Sequence, residues 1–293
     1  MCDENELDRM IEHTRRSDAL SRRGFTSLTV GAGLAAWLPG TAATANAVTE
    51  SDVEIKTADG SCDAYFVHPA RGKHAAVLIW PDAFGLRPAF RQMGKRLAES
   101  GYAILVPNPY YRTKRAPILP VGANFQDPDT RNTLMALMGS LNPATQQTDA
   151  QAFIGFLDKQ RSVNTHKKMA TTGYCMGGPM TMRAAANFPD RIGAAASFHG
   201  GGLATDKPDS PHLLVPKMRA QYLIAIAEND DAREPHAKEL LRQAFDQAKL
   251  TAEIEVYAGT QHGWCPPDAA VYNAAQAERA WARMLVLFEK ALV

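Results

Sequence analysis

The chain has 293 residues, 45% hydrophobic and 22% charged, a composition that suits a folded globular protein and excludes a disordered or fibrous one. Its 32 basic residues nearly balance its 31 acidic ones, so there is no electrostatic footprint for nucleic acid, and neither DNA nor RNA is expected as a partner. With no linker inside 50–293, a single domain over residues 48–293 accounts for everything after the N-terminal segment.

That N-terminal segment, residues 1–47, differs from the rest. Phe25 to Thr49 carries no charge and consists largely of small residues, with Ser21-Arg22-Arg23-Gly24-Phe25-Thr26 leading into it and Ala45-Asn46-Ala47 near its end. A paired-arginine lead, an uncharged stretch and a small-x-small cleavage pattern resemble a bacterial twin-arginine export signal, removed on processing. The expectation is periplasmic or exported protein with no membrane insertion after cleavage; a cytoplasmic protein is the alternative. Gly31, Gly33, Pro39 and Gly40 make the stretch a poor membrane anchor. Of the four cysteines, Cys2, Cys62, Cys175 and Cys265, no two form a C-x-x-C pair, so neither a zinc site nor a dithiol redox motif is expected, and no metal is called for.

From residue 53 short apolar runs alternate with longer helical patterns. Val53–Thr57 and Asp63–His68, joined by Ala58-Asp59-Gly60, read as two antiparallel strands. Ala75–Trp80 is a continuous apolar run ended by Pro81, as a strand buried on both faces requires. Residues 88–100 place Phe90, Met93, Leu97 and Ala98 at helical spacing, and Tyr102–Val106 is the next buried strand. Residues 110–150 are the least regular: Pro117, Pro120, Asp127-Pro128 and Asn142-Pro143 interrupt two helical patterns, and a lid or substrate loop is expected there. Then come a helix over 145–160, a strand Met169–Tyr174, a helix Gly177–Ala186, strands Ala194–Phe198 and Ala220–Ile226, a helix Ala232–Ala248, a strand Ala252–Tyr257 and a closing helix Asp268–Leu292. The alternation predicts an α/β fold, a mostly parallel sheet with helices on both faces and antiparallel strands at its N-terminal edge.

The sharpest motif is Gly173-Tyr174-Cys175-Met176-Gly177-Gly178, between an apolar strand and a helix. A nucleophile elbow needs glycines two before and two after the nucleophile, because a β-carbon there would collide as the chain folds back, and the helix N-terminus then stabilises a thiolate. A glycine-rich turn around a structural cysteine is the bland alternative. Asp230, with Asp231 as fallback, follows the strand ending at Ile226, where open α/β sheets build their sites. His262 lies in the loop between the last strand and the last helix. One histidine signifies little by itself, since seven others occur, His199 among them; the order Cys, Asp, His is what points to a triad on an α/β-hydrolase fold.

The elbow resembles that of the dienelactone hydrolases, whose cysteine sits in a Gly-x-Cys-x-Gly-Gly setting, and Pro81-Asp82-Ala83-Phe84-Gly85-Leu86 is similar to a second family segment; the resemblance covers about 53–293. It implies a carboxylic ester or lactone hydrolase acting through a thioester acyl-enzyme, with Cys175 as nucleophile, His262 as base, Asp230 as orienting acid and no cofactor. It also implies an acid at Asp82, where the family typically has a glutamate near the resting thiol, and an oxyanion hole from the backbone N–H groups of Met176 and Ala83. Phe84, Arg87, Tyr110, Arg112 and Trp264 are candidate substrate contacts, set against the plainer role of packing or surface charge. A general carboxylesterase, a non-catalytic small-molecule-binding scaffold and a thiol redox sensor are the other readings.

Overall fold

The computed structural model describes residues 46–293, so residues 1–45 of the expected export signal fall outside the described residues. In chain order the elements are β1 (Val48–Thr57), β2 (Gly60–Pro69), β3 (Ala76–Trp80), α1 (Pro88–Glu99), β4 (Ala103–Pro107), α2 (Pro128–Gly139), α3 (Pro143–Asp158), β5 (Met169–Tyr174), α4 (Gly177–Asn187), β6 (Ile192–Phe198), a 3-10 turn (Pro211–Lys217), β7 (Gln221–Ala227), α5 (Glu228–Arg233), α6 (Ala237–Ala248), β8 (Ala252–Tyr257) and α7 (Ala274–Ala291). The strands form one sheet in the order β1-β2-β4-β3-β5-β6-β7-β8. β1, β2 and β4 pair antiparallel, and every pair from β4 onward is parallel. This is the expected α/β architecture.

Two-residue alternation sorts the strand side chains between two cores. In β3, Ala76, Leu78 and Trp80 face a core completed by α3, α4 and α6, while Val77 and Ile79 face the core under α1 and α7. Each large side chain fully buried this way contributes ~1.5–3 kcal/mol. Cys62 belongs to the first core and Cys265 to the second, and both are free thiols.

Several boundaries differ from the sequence pattern, each for a local reason. β1 begins at Val48 rather than Val53, because an outermost strand carries exposed polar residues on both faces and loses its apolar signature. Asp127-Pro128 and Asn142-Pro143 start helices: each proline takes the first helical position, where a missing N–H costs nothing, and Asp127 and Asn142 cap the free amides behind it. The single helix expected over 232–248 is two, split at Glu234-Pro235, since a residue before proline is pushed out of helical conformation and Glu234 sits at φ −127, ψ 61. The closing helix starts at Ala274, capped by Asn273, and not at Asp268. Among the described residues no helix is long and apolar enough to cross a membrane.

The chain leaves β3 for β4 on one side and returns across the sheet to β5 on the other. Strand order therefore reverses between β3 and β5, and the crevice at their C-terminal ends is where such sheets accommodate ligands.

Candidate active site

β5 delivers Cys175 into that crevice. All six residues of the strand are buried, and Cys175 then adopts φ +54, a left-handed conformation that folds the chain straight into α4. The glycines around it are required by space. A β-carbon on Gly173 would lie 2.0 Å from the Gly177 carbonyl oxygen, and one on Gly177 would lie 2.4 Å from the Trp80 carbonyl oxygen. The Cys175 N–H is held by the Phe198 carbonyl at 3.0 Å and by Nδ1 of His199 at 3.2 Å.

α5 follows directly on β7 and presents Asp230; the loop after β8 presents His262. Asp230 Oδ2 lies 2.7 Å from His262 Nδ1, its other oxygen pairs with Arg233, and the His262 N–H donates to Asn229 Oδ1 at 2.8 Å. Burial by itself would push the imidazole down, but the hydrogen bond to Asp230 and the neighbouring Cys175 raise it from 6.5 to about 10. Asp231, the fallback acid, points elsewhere and pairs with Lys238 at 2.7 Å. Cysteine, histidine and aspartate from three separate strand ends thus meet at one point.

The loop after β3 closes the other side. Asp82 is 7% exposed, and its carboxylate accepts from the Phe84 N–H at 2.9 Å and from both terminal nitrogens of Arg87. Gly85, at φ +70, donates its N–H back to the Asp82 carbonyl. The Tyr110 hydroxyl reaches the Ala83 carbonyl at 2.9 Å and Met176 Sδ at 3.0 Å. Among the described residues the N–H groups of Ala83 and Met176 donate to no other backbone group. No three metal-ligating side chains cluster among the described residues.

The model of the dienelactone hydrolase family matches residues 62–292. The chain belongs to that family. It is 26% identical over 253 residues to an Escherichia coli protein named "Putative carboxymethylenebutenolidase", covering 84% of this chain and 88% of the relative. Among solved structures it resembles a dienelactone hydrolase-like promiscuous phosphotriesterase from metagenomic libraries (TM-score 0.70, 21% identity, 85% of this chain and 100% of that one). It also resembles a dienelactone hydrolase from Anabaena variabilis (TM-score 0.60, 16% identity, 84% and 99%). These two likenesses are of fold.

Within this member of the family, several expected contacts are placed differently. Asp82 does not reach the thiol: it is one methylene shorter than glutamate, and its oxygens are taken by Arg87 and the Phe84 amide. Burial pushes its carboxyl up while Arg87 pulls it back. Arg87 is in turn shared with Asp268, so neither end is left for a substrate. Arg112 forks between Asp149 and Asp59 over the Tyr111 ring, tying the 110–115 segment to the β1–β2 turn, which removes it from the list of substrate contacts. Trp264 has no exposed surface; it stacks on Tyr257 at 4.9 Å and packs behind the site. Phe84 and Tyr110 remain beside it, packed with Ile118, Leu134 and Met176. His199, counted above as one histidine among many, is the site residue that sequence reasoning missed. Its one legible signal was its place at the C-terminal end of a parallel strand.

Proposed function

We propose that the chain hydrolyses a small activated ester or enol lactone through a thioester acyl-enzyme. The raised imidazole of His262 carries its proton on Nε2 beside the Cys175 sulfur, which attacks the carbonyl carbon as thiolate; Asp230 accepts from Nδ1–H and balances the imidazolium. The oxyanion is received by the Ala83 and Met176 N–H groups. As the carbon–oxygen bond breaks, His262 returns the proton to the departing alcohol or enol. Water then attacks the thioester, its proton going to His262, and the acid leaves as the Cys175 thiolate is released beside the imidazolium. Because a thiolate also departs readily, this chemistry favours good leaving groups over amides.

The observation that carries this proposal is the 2.7 Å contact of Asp230 with His262, whose imidazole Cys175 and Asp230 together raise to about 10. Family membership supports the reaction class. Export before action, through the paired-arginine segment, is part of the same proposal and rests on the sequence of residues 1–47 alone.

The test is turnover of p-nitrophenyl acetate and of a dienelactone by the purified protein beside Cys175→Ala, with intact-mass detection of an acyl adduct. Loss of turnover and adduct together in Cys175→Ala is expected; full activity in that variant refutes the mechanism.

A further inference from the structure

Three non-glycine residues among those described have left-handed backbones: Cys175, His199 and Lys249. Lys249 caps the C-terminus of α6, an ordinary place for this conformation. The other two end adjacent parallel strands, β5 and β6, and they touch each other, since His199 Nδ1 accepts the Cys175 N–H at 3.2 Å. Left-handed backbone on a β-carbon-bearing residue persists only where its surroundings enforce it, and such residues gather at functional sites.

The His199 ring has further unusual properties. It is 1% exposed. Its centroid lies 5.2 Å from that of His262, with the planes at 66°. Because Nδ1 accepts, the ring proton resides on Nε2, and Nε2 is buried without a hydrogen-bond partner in the protein. Burial, and then the neighbouring His262, hold the ring well below the usual histidine range, so it is neutral. A buried imidazole with an unspent donor is costly to keep in a core that merely needs filling. This one contacts both the amide of the nucleophile and the ring of the base.

We propose that His199 is a positioning residue: in its neutral Nε2–H tautomer it accepts the Cys175 N–H and holds the nucleophile in the left-handed turn that sets its thiol against His262. The Phe198 carbonyl alone would continue the sheet ladder at this amide; the imidazole supplies a second acceptor at the point where the chain leaves the strand. The proposal rests on the reading of Cys175 as nucleophile.

The test compares His199→Gly with His199→Asn. Both residues accept a left-handed backbone, but only asparagine offers an oxygen near the place of Nδ1. Melting curves establish that each variant is folded. The readouts are kcat and KM on p-nitrophenyl acetate, the ultraviolet absorbance of the thiolate at neutral pH against Cys175→Ser, and the rate of Cys175 alkylation by iodoacetamide. For His199→Gly, kcat falls about a hundredfold with KM little changed, as for a misplaced reacting group, and thiolate absorbance and alkylation fall with it. His199→Asn recovers most of each loss, and added imidazole recovers part of it in the glycine variant.

A folded His199→Gly protein with wild-type alkylation and kcat overturns the proposal, as does a folded His199→Asn protein as damaged as the glycine variant. If the glycine variant does not fold, His199→Asn decides: wild-type alkylation upholds the acceptor role and its loss overturns it. Alkylation and absorbance are read on the resting protein, so they judge His199 even if the wild type turned over no ester, an outcome that would count against the hydrolase proposal instead.

Discussion

Replacing Asp230 by asparagine changes one oxygen to an amide and keeps the shape, so its effect measures what the carboxylate does to His262. Two contributions are separable. The raised imidazole, from 6.5 to about 10, corresponds to ~4–5 kcal/mol of preference for the imidazolium at 1.36 kcal/mol per unit. That preference is shared with Cys175 and reduced by solvent at a ring 32% exposed, so ~1–2 kcal/mol belongs to Asp230, about five- to thirtyfold in rate. The second contribution is larger. An asparagine amide donating to Nδ1 would force the proton onto Nε2, the nitrogen that has to receive the thiol proton; a wrong tautomer in an equivalent triad costs about ten-thousandfold in kcat. Asp230→Asn is therefore expected to lose about three to four orders of magnitude in kcat on p-nitrophenyl acetate, with its melting temperature close to wild type. Asp231→Asn, whose carboxylate pairs with Lys238 in a partly buried ion pair away from His262, should change kcat by less than about threefold. Collapse of Asp231→Asn with survival of Asp230→Asn would refute the assignment of the acid.

Other consequences concern stability. Folding raises His262 above its ordinary 6.5, so the stabilisation it provides is complete below pH 6.5 and is lost as pH rises through about 10. The wild-type melting temperature should fall over that window more steeply than that of His262→Gln, and parallel curves would refute the coupling. Arg87→Met strands a buried Asp82 carboxylate and should cost ~3–5 kcal/mol in urea unfolding, with part regained in Arg87→Met/Asp82→Leu. No recovery in the double variant would show that the pair is not the source of the loss. Gly177→Ala drives a β-carbon to within 2.4 Å of a backbone oxygen in β3; a loss of about 3 kcal/mol is expected, and a wild-type melting curve would mean the elbow has room that its backbone does not indicate.

The features legible in the sequence share a physical character: each is encoded within a few residues. The elbow declares itself because Gly173, Cys175 and Gly177 must be close in the chain for one turn to form. The central strands declare themselves because burial on both faces leaves a run such as Ala76–Trp80 without polar residues. Asp230 and His262 were legible at one remove, through strand-end placement and chain order. Asp127-Pro128 and Asn142-Pro143 look like helix breaks in the sequence but are cap-plus-first-turn pairs, which local chemistry distinguishes from breaks.

What stayed hidden depends on partners remote in the chain. Nothing near Asp82 announces that Arg87, itself fixed by Asp268 181 positions on, would take its carboxylate away from the thiol. Likewise Arg112 reads as free until Asp149 is folded beneath it. Both arginines were candidates for gripping a substrate anion because a guanidinium has no preference between a ligand carboxylate and a protein one; only the fold decides which arrives. His199 shows the converse. Its role depends on β6 lying beside β5 in register, so that Phe198 and His199 meet Tyr174 and Cys175 across one ladder. A strand-end residue acquires its chemistry from the strand next door, and in a parallel sheet that neighbour is separated by a whole crossover helix. Polar side chains at the C-terminal ends of parallel strands therefore merit treatment as a set, paired by expected strand order, before any of them is dismissed as one histidine among eight.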